Sequence, residues 1–205
     1  MGVISNGTTL LDAGAIDSGI PTGAMTLIKT LTASSSGTLS FVNGASGVVL
    51  DGTYKEYLFT FNNIHAATSG AEYQFNLSID SGSNYNIAKT STAFESYHTE
   101  ADNGAGVIYQ GNADLAQGTG DQQIFRNLDT GNDCSYSGSL QLFNPSSTTF
   151  VKHYIARGNG MNTSPTSIDF NIAGYGNTTS AVNAIIFRMS SGNIDAGDIC
   201  LYGIS

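Results

Sequence analysis

Tryptophan is missing altogether from this 205-residue chain, which also holds only two cysteines, three prolines and seven lysines plus arginines. Each shortage excludes something. Without tryptophan there is no Cys…Trp…Cys core of an immunoglobulin domain, nor the indole platform that carbohydrate-binding modules of bacterial surface enzymes favour. Cys134 and Cys200 form no CxxC and no His/Cys cluster, so no zinc site is expected, and two such cysteines read as buried free thiols. Sixteen acidic against seven basic residues give a formal net charge of −9, which repels phosphate backbones and argues against nucleic acid as a partner. The first residues lack a cationic segment leading into an apolar run, and no stretch approaches the roughly 18 apolar residues of a membrane span, so neither a secretion signal nor a membrane partner is expected.

Helix formers are also scarce, whereas Gly, Ser, Thr and Asn number 25, 24, 21 and 18. Ten Tyr and ten Phe supply the apolar area of a real core. Residues 1–24 differ from the rest. Gly2, Gly7, Gly14, Gly19 and Gly23 interrupt short apolar patches, so this stretch reads as an N-terminal arm, with Pro21 and Gly23 marking its boundary with a domain over 25–205.

From Met25 onward the apolar period becomes two. Over 72–80, Tyr73, Phe75, Leu77 and Ile79 alternate with Glu72, Gln74, Asn76, Ser78 and Asp80, which places the first set on one buried face and the second in water. Tyr57, Phe59 and Phe61 repeat the pattern, residues 62–70 including His65 read as a loop, and a hairpin or same-sheet return is the natural connection between the two runs. Further strands are expected at 25–31, 38–42, 92–99, 122–126, 137–143, 150–157, 168–175, 181–189 and 198–204, separated by turn pairs such as Asn43-Gly44, Asn103-Gly104 and Gly192-Asn193. The fold class is therefore all-β, an antiparallel two-sheet sandwich of jelly-roll type with an extended N-terminal arm. Residues 103–120 resist assignment: Val107-Ile108-Tyr109 suits a short strand, 112–117 a turn, and the whole a candidate functional loop.

Motifs for chemistry are thin. No GxSxG surrounds any serine near the candidate bases His65, His98 and His153, and His153 reads as a sheet-face residue. Glu95, Glu100, Asp102 and Asp114 are the available carboxylates for a glycosidase pair, with Glu95 sharing a groove-lining strand face with Tyr97 and Thr99, but nothing fixes a partner. Asp129-Thr130-Gly131-Asn132-Asp133 opens like an oxygen-ligand loop for calcium yet lacks the closing bidentate glutamate. No catalytic residue, cofactor or metal is assigned, and the chain is read as not an enzyme. Tyr54, Tyr85, Tyr97, Tyr109 and Tyr175, near loops or on outer parities, remain as tools for recognition.

Several segments together carry a resemblance. Residues 1–15 (MGVISNGTTLLDAGA), Tyr57-Leu58-Phe59-Thr60-Phe61-Asn62-Asn63-Ile64-His65, Ser81-Gly82-Ser83-Asn84-Tyr85, Leu142-Phe143-Asn144-Pro145-Ser146-Ser147 and the terminal stretch from Ile194 to Ile204, ending Leu201-Tyr202-Gly203-Ile204, resemble small structural proteins of marine and freshwater tailed bacteriophages, including phages of cyanobacteria. The resemblance implies a virion surface component, a head decoration or a tail appendage, assembled in the host cytoplasm and generally trimeric. Its partners would be further copies of itself and neighbouring capsid or tail proteins. In that setting the arm would anchor through Val3, Ile4, Leu10, Leu11 and Ile16, whose apolar side chains gain burial against a neighbour. The alternative is an adsorption module in which the 103–120 loop, with Tyr97 and Tyr109, contacts a host receptor or glycan.

Overall fold

The computed structural model describes residues 3–5, 8–12, 15, 16 and 24–205. Three short strands, β1 (Val3–Ser5), β2 (Thr8–Asp12) and β3 (Ala15–Ile16), form a small antiparallel sheet in which Val3 pairs with Leu11 and Leu11 with Ile16. The expected arm thus pairs with itself locally. Of its five proposed anchors Ile4 has a described side chain, and it is exposed; the side chains of Val3, Leu10, Leu11 and Ile16, like the boundary residues Pro21 and Gly23, lie outside the described set.

Twelve strands follow: β4 (Met25–Thr32), β5 (Leu39–Val42), β6 (Glu56–Ala66), β7 (Ala71–Ser78), β8 (Lys89–Thr99), β9 (Ala105–Tyr109), β10 (Gln122–Leu128), β11 (Tyr136–Phe143), β12 (Lys152–Met161), β13 (Thr166–Gly176), β14 (Ala184–Met189) and β15 (Ile194–Ile204). They build two antiparallel sheets, of eight strands in the order β4-β15-β6-β11-β12-β13-β8-β9 and of four in the order β10-β7-β14-β5. The all-β two-sheet sandwich is as expected from the alternation. Repeated passage between the sheets is jelly-roll-like, while the β11-β12-β13 meander and the unequal widths set this sandwich apart from a symmetric one.

The β6–β7 connection corrects the sequence reading. These strands lie in different sheets, so the turn crosses the sandwich and the two aromatic faces meet across the core instead of side by side. His65 is not in a loop but near the end of β6, which runs on to Ala66 past a register shift against β11 and a left-handed Asn63 (φ 51°). Ile79 lies beyond the end of β7 and is exposed.

Between the sheets the expected alternation holds. Phe187 on β14 sits at the centre, its ring 5.3–6.4 Å from those of Phe41, Phe59, Phe61, Tyr73 and Phe75. Burial of each such ring contributes about 1.5–3 kcal/mol or more. Glycine makes room for some of the rings: a Cβ on Gly158 would stand 2.5 Å from the Tyr136 hydroxyl and one on Gly203 would enter the ring of Tyr54. The hydroxyls of Tyr73 and Tyr136 are buried with no partner among the described residues, and burial pushes both phenols up. Cys134 is buried and Cys200 half-buried, both as free thiols.

One polar set assigned to water is inside. Asn76, on the nominally solvent parity of β7, is buried. It donates to the Thr119 carbonyl and to Asp121, and accepts at 2.6 Å from the fully buried ammonium of Lys89. Arg188 closes the cluster with two bonds to Asp121. Burial draws the Lys89 amine down to about 8, with Asp121 opposing the shift.

Candidate functional site

The unassigned segment at 103–120 forms the outermost strand of the wide sheet and the turn leaving it. Strand β9 pairs with β8 alone in its sheet, Phe94 opposite Tyr109 and Tyr97 opposite Gly106. Thr99 N–H donates to Gly104 O and Gln110 N–H to Ala93 O, which fixes the phase of the ladder. Even-numbered residues bond to β8, so the backbone groups of Ala105, Val107 and Tyr109 point away from the sheet. Every residue of β9 is exposed and none is charged. The five-residue strand is an open edge without the lysine or proline that usually blunts one.

Tyr97 and Tyr109 are not brought together. Cross-strand partners share a face, so Tyr109 stands with Phe94 on the outer face while Tyr97, three residues from Phe94, is on the other. There it is half-buried against the core, with its ring over Gly106, a correction to its reading as a free platform. Tyr109 is exposed, and its ring lies beside Gly111. Its hydroxyl donates to Asp114 Oδ2 at 2.5 Å, a bond that pushes the phenol up. Of the other tyrosines considered for recognition, Tyr54, Tyr85 and Tyr175 are half-buried.

Behind β9, at the opening between the edges of the two sheets, is a pocket of about 220 Å3 lined by Glu72, Gln110, Asn112, Ala113, Gln123, Arg126 and Asn127. One wall is the turn after β9. Ala113 N–H donates to Gln110 O at 3.0 Å, and Gln122 Nε2 donates to Ala113 O at 2.8 Å, so the turn is tied to the core as well as to Tyr109. The other wall is β10, the edge strand of the narrow sheet. Its pairing to β7 shifts register twice, between Gln123 and Phe125 and between Phe125 and Leu128, and Asn127 is left-handed at φ 53°. In a regular strand neighbouring side chains point to opposite faces; these irregularities turn Gln123, Arg126 and Asn127 toward one space.

Beneath them Glu95 is fully buried and takes two bonds from Arg126, from Nε at 2.7 Å and from Nη2. The contact raises the guanidinium, and burial opposes the rise. Glu95 was expected to line a groove beside Tyr97 and Thr99; instead it is the buried counter-ion that holds Arg126 at the pocket. The other carboxylates of that group are dispersed: Asp102 lies 3.2 Å from His98 Nε2 and Asp114 accepts from Tyr109. No spacing in the sequence pairs residues 95 and 126. The one local signal for the bulge is Asn127 itself, a residue that tolerates a left-handed backbone.

A second hollow, of about 360 Å3, lies near the C-terminal end of β6 between Asn63, His65, Asn132, Ser135, Asp195 and Ala196. His65 stands 3.3 Å from Asp195 and 3.1 Å from Gly131 O. In the turn at 129–133, whose sequence suits calcium, the carboxylates are engaged locally: Asp129 accepts from Thr130 N–H, and the exposed Asp133 accepts from the Cys134 thiol. Among the described residues no group of three metal-ligating side chains is formed. His153 is exposed on β12 with its ring against Tyr175, the sheet-face position expected of it.

Comparison with protein-family models, with curated proteins and with solved structures returns no match to this chain.

Proposed function

We propose that this chain is a non-enzymatic structural component of a tailed-phage virion, anchored by its N-terminal arm and displaying the sandwich on the particle surface. The observation that carries the assembly part of this reading is the open edge at β9. It offers the outward backbone groups of Ala105, Val107 and Tyr109 with no charge to deter a pairing strand. A row interrupted only by the polar Gln141 continues the theme across the outer face of the wide sheet: Leu27, Tyr202, Leu58, Gln141, Ile155 and Ala173 follow one another in register, with Leu27 and Ile155 exposed. The viral class is supported by the resemblance of the five quoted segments to phage structural proteins, and self-association into a trimer is part of the same proposal.

Two variants test it. Deleting residues 1–24 removes the arm and leaves the twelve-strand sandwich intact, and Val107→Lys puts a charge on an edge residue that is 74 % exposed. The expected result is folded protein in both cases, loss of incorporation into particles for the deletion, and a smaller assembly by light scattering for Val107→Lys. Normal incorporation of the deletion and unchanged mass of Val107→Lys would overturn the reading.

A second reading draws on Tyr109. Its ring and its bond to Asp114 stiffen an exposed corner next to a pocket, as suits a surface that recognises a host receptor or glycan.

A further inference from the structure

We infer that the pocket between β9 and β10 is a binding site for one neutral sugar ring, of the hexose or N-acetylhexosamine class. The site deepens the recognition reading and is independent of the assembly reading.

Size comes first. A space of about 220 Å3 corresponds to about seven water volumes, enough for a single pyranose ring with its hydroxyls and too small for a longer saccharide to enter whole. The polar groups come second. Gln110, Asn112, Gln123 and Asn127 surround the space with side-chain amides, each carrying donor and acceptor atoms, which matches hydroxyls that both give and receive hydrogen bonds. Charge comes third. Arg126 spends Nε and Nη2 on the buried carboxylate of Glu95, leaving Nη1 for a ligand, and Glu72 adds a carboxylate to the rim. The three charges sum to a net negative one, so an anionic sugar or a phosphate meets repulsion while a neutral polyol does not.

Preorganisation is the fourth argument. The two register shifts of β10 and the left-handed Asn127 disturb an otherwise regular ladder, and their result is the convergence of three polar side chains. The opposite wall is held by the Tyr109–Asp114 bond and by Gln122 on the Ala113 carbonyl. A pocket set in advance loses less freedom when it binds. Tyr109 is then a positioning residue; it supports the loop from outside and does not stack on the sugar.

The test is a titration of the full-length protein followed by side-chain amide NMR, with the methyl glycosides of glucose, galactose, mannose and N-acetylglucosamine, and with glucuronate as the anionic control. At least one neutral glycoside is expected to move the amide signals of Asn112, Gln123 and Asn127 with a Kd on the order of a millimolar, as suits a ligand of about a dozen atoms. Asn127→Gly, which keeps the left-handed backbone, and Asn112→Ala on the exposed turn are each expected to weaken binding at least about tenfold. Their melting temperatures should stay at the parent value. No shift of these amides with any neutral glycoside, preference for glucuronate, or unaltered binding by both variants would overturn the inference. Particle incorporation does not enter this readout, so its failure and that of the assembly reading are separable.

Discussion

The centre of the sandwich and its β9–β10 corner are built from the same kind of strand and end in opposite chemistry. At the centre, β6 up to Phe61 and the first half of β7 alternate, so that Phe59, Phe61, Tyr73 and Phe75 bring their rings to Phe187 on the largely buried β14. At the corner, β10 slips twice, and the side chains released from alternation are an amide, a guanidinium and another amide directed at one space. Regularity makes the block; departure from it makes the site. The aromatic centre tolerates little change because its rings touch one another, whereas the corner depends on one buried ion pair and a backbone conformation.

Substitutions can separate the two regions. Phe187→Ala should lower stability by about 3–5 kcal/mol in denaturant unfolding, since it leaves a cavity among five rings. A loss below about 1 kcal/mol would show that the centre is not the cooperative core. Arg126→Met strands the fully buried Glu95 and should cost about 3 kcal/mol, discounted from the fully buried case because the guanidinium is partly exposed. Adding Glu95→Leu to that variant should recover most of the loss, and failure to recover would mean that the pair does more than neutralise itself. Removing an orphaned hydroxyl has the opposite sign. Tyr136→Phe should raise stability by up to about 1 kcal/mol, because the group it deletes is desolvated without compensation. Smallest of all, Asn127→Gly should change stability by less than about 0.5 kcal/mol, the positive φ being free to glycine. A large loss there would show that the Asn127 side chain holds the fold as well as lining the pocket.

The sequence showed the centre better than the corner for the same physical reason. Alternation of Tyr57, Phe59 and Phe61, and of Tyr73, Phe75 and Leu77, is a one-dimensional signal, and it placed those faces inside correctly. It carries no information on which sheet each strand joins, so it suggests a hairpin or a same-sheet return between β6 and β7 where the connection crosses the core. Nor does it foresee that residues 119–121 supply partners for Asn76, so that an expected solvent face is buried around Lys89. Residues 103–120 resist assignment as a whole, although the short strand expected at Val107-Ile108-Tyr109 lies within β9. Parity then misled: Tyr97 and Tyr109 belong to adjacent strands but to opposite faces, and only the register of β8 on β9 reveals this. The Glu95–Arg126 pair and the bulges of β10 are long-range outcomes that leave almost no local trace.

The central proposal, that this sandwich is carried on a phage particle, is tested most directly by immunogold electron microscopy of purified phage particles from a culture that expresses the chain, with serum raised against residues 25–205. The account predicts gold on every intact particle, over the head for a decoration protein or confined to the tail for an appendage. Particles that stay unlabelled, while the same serum binds the native protein in solution, would contradict it.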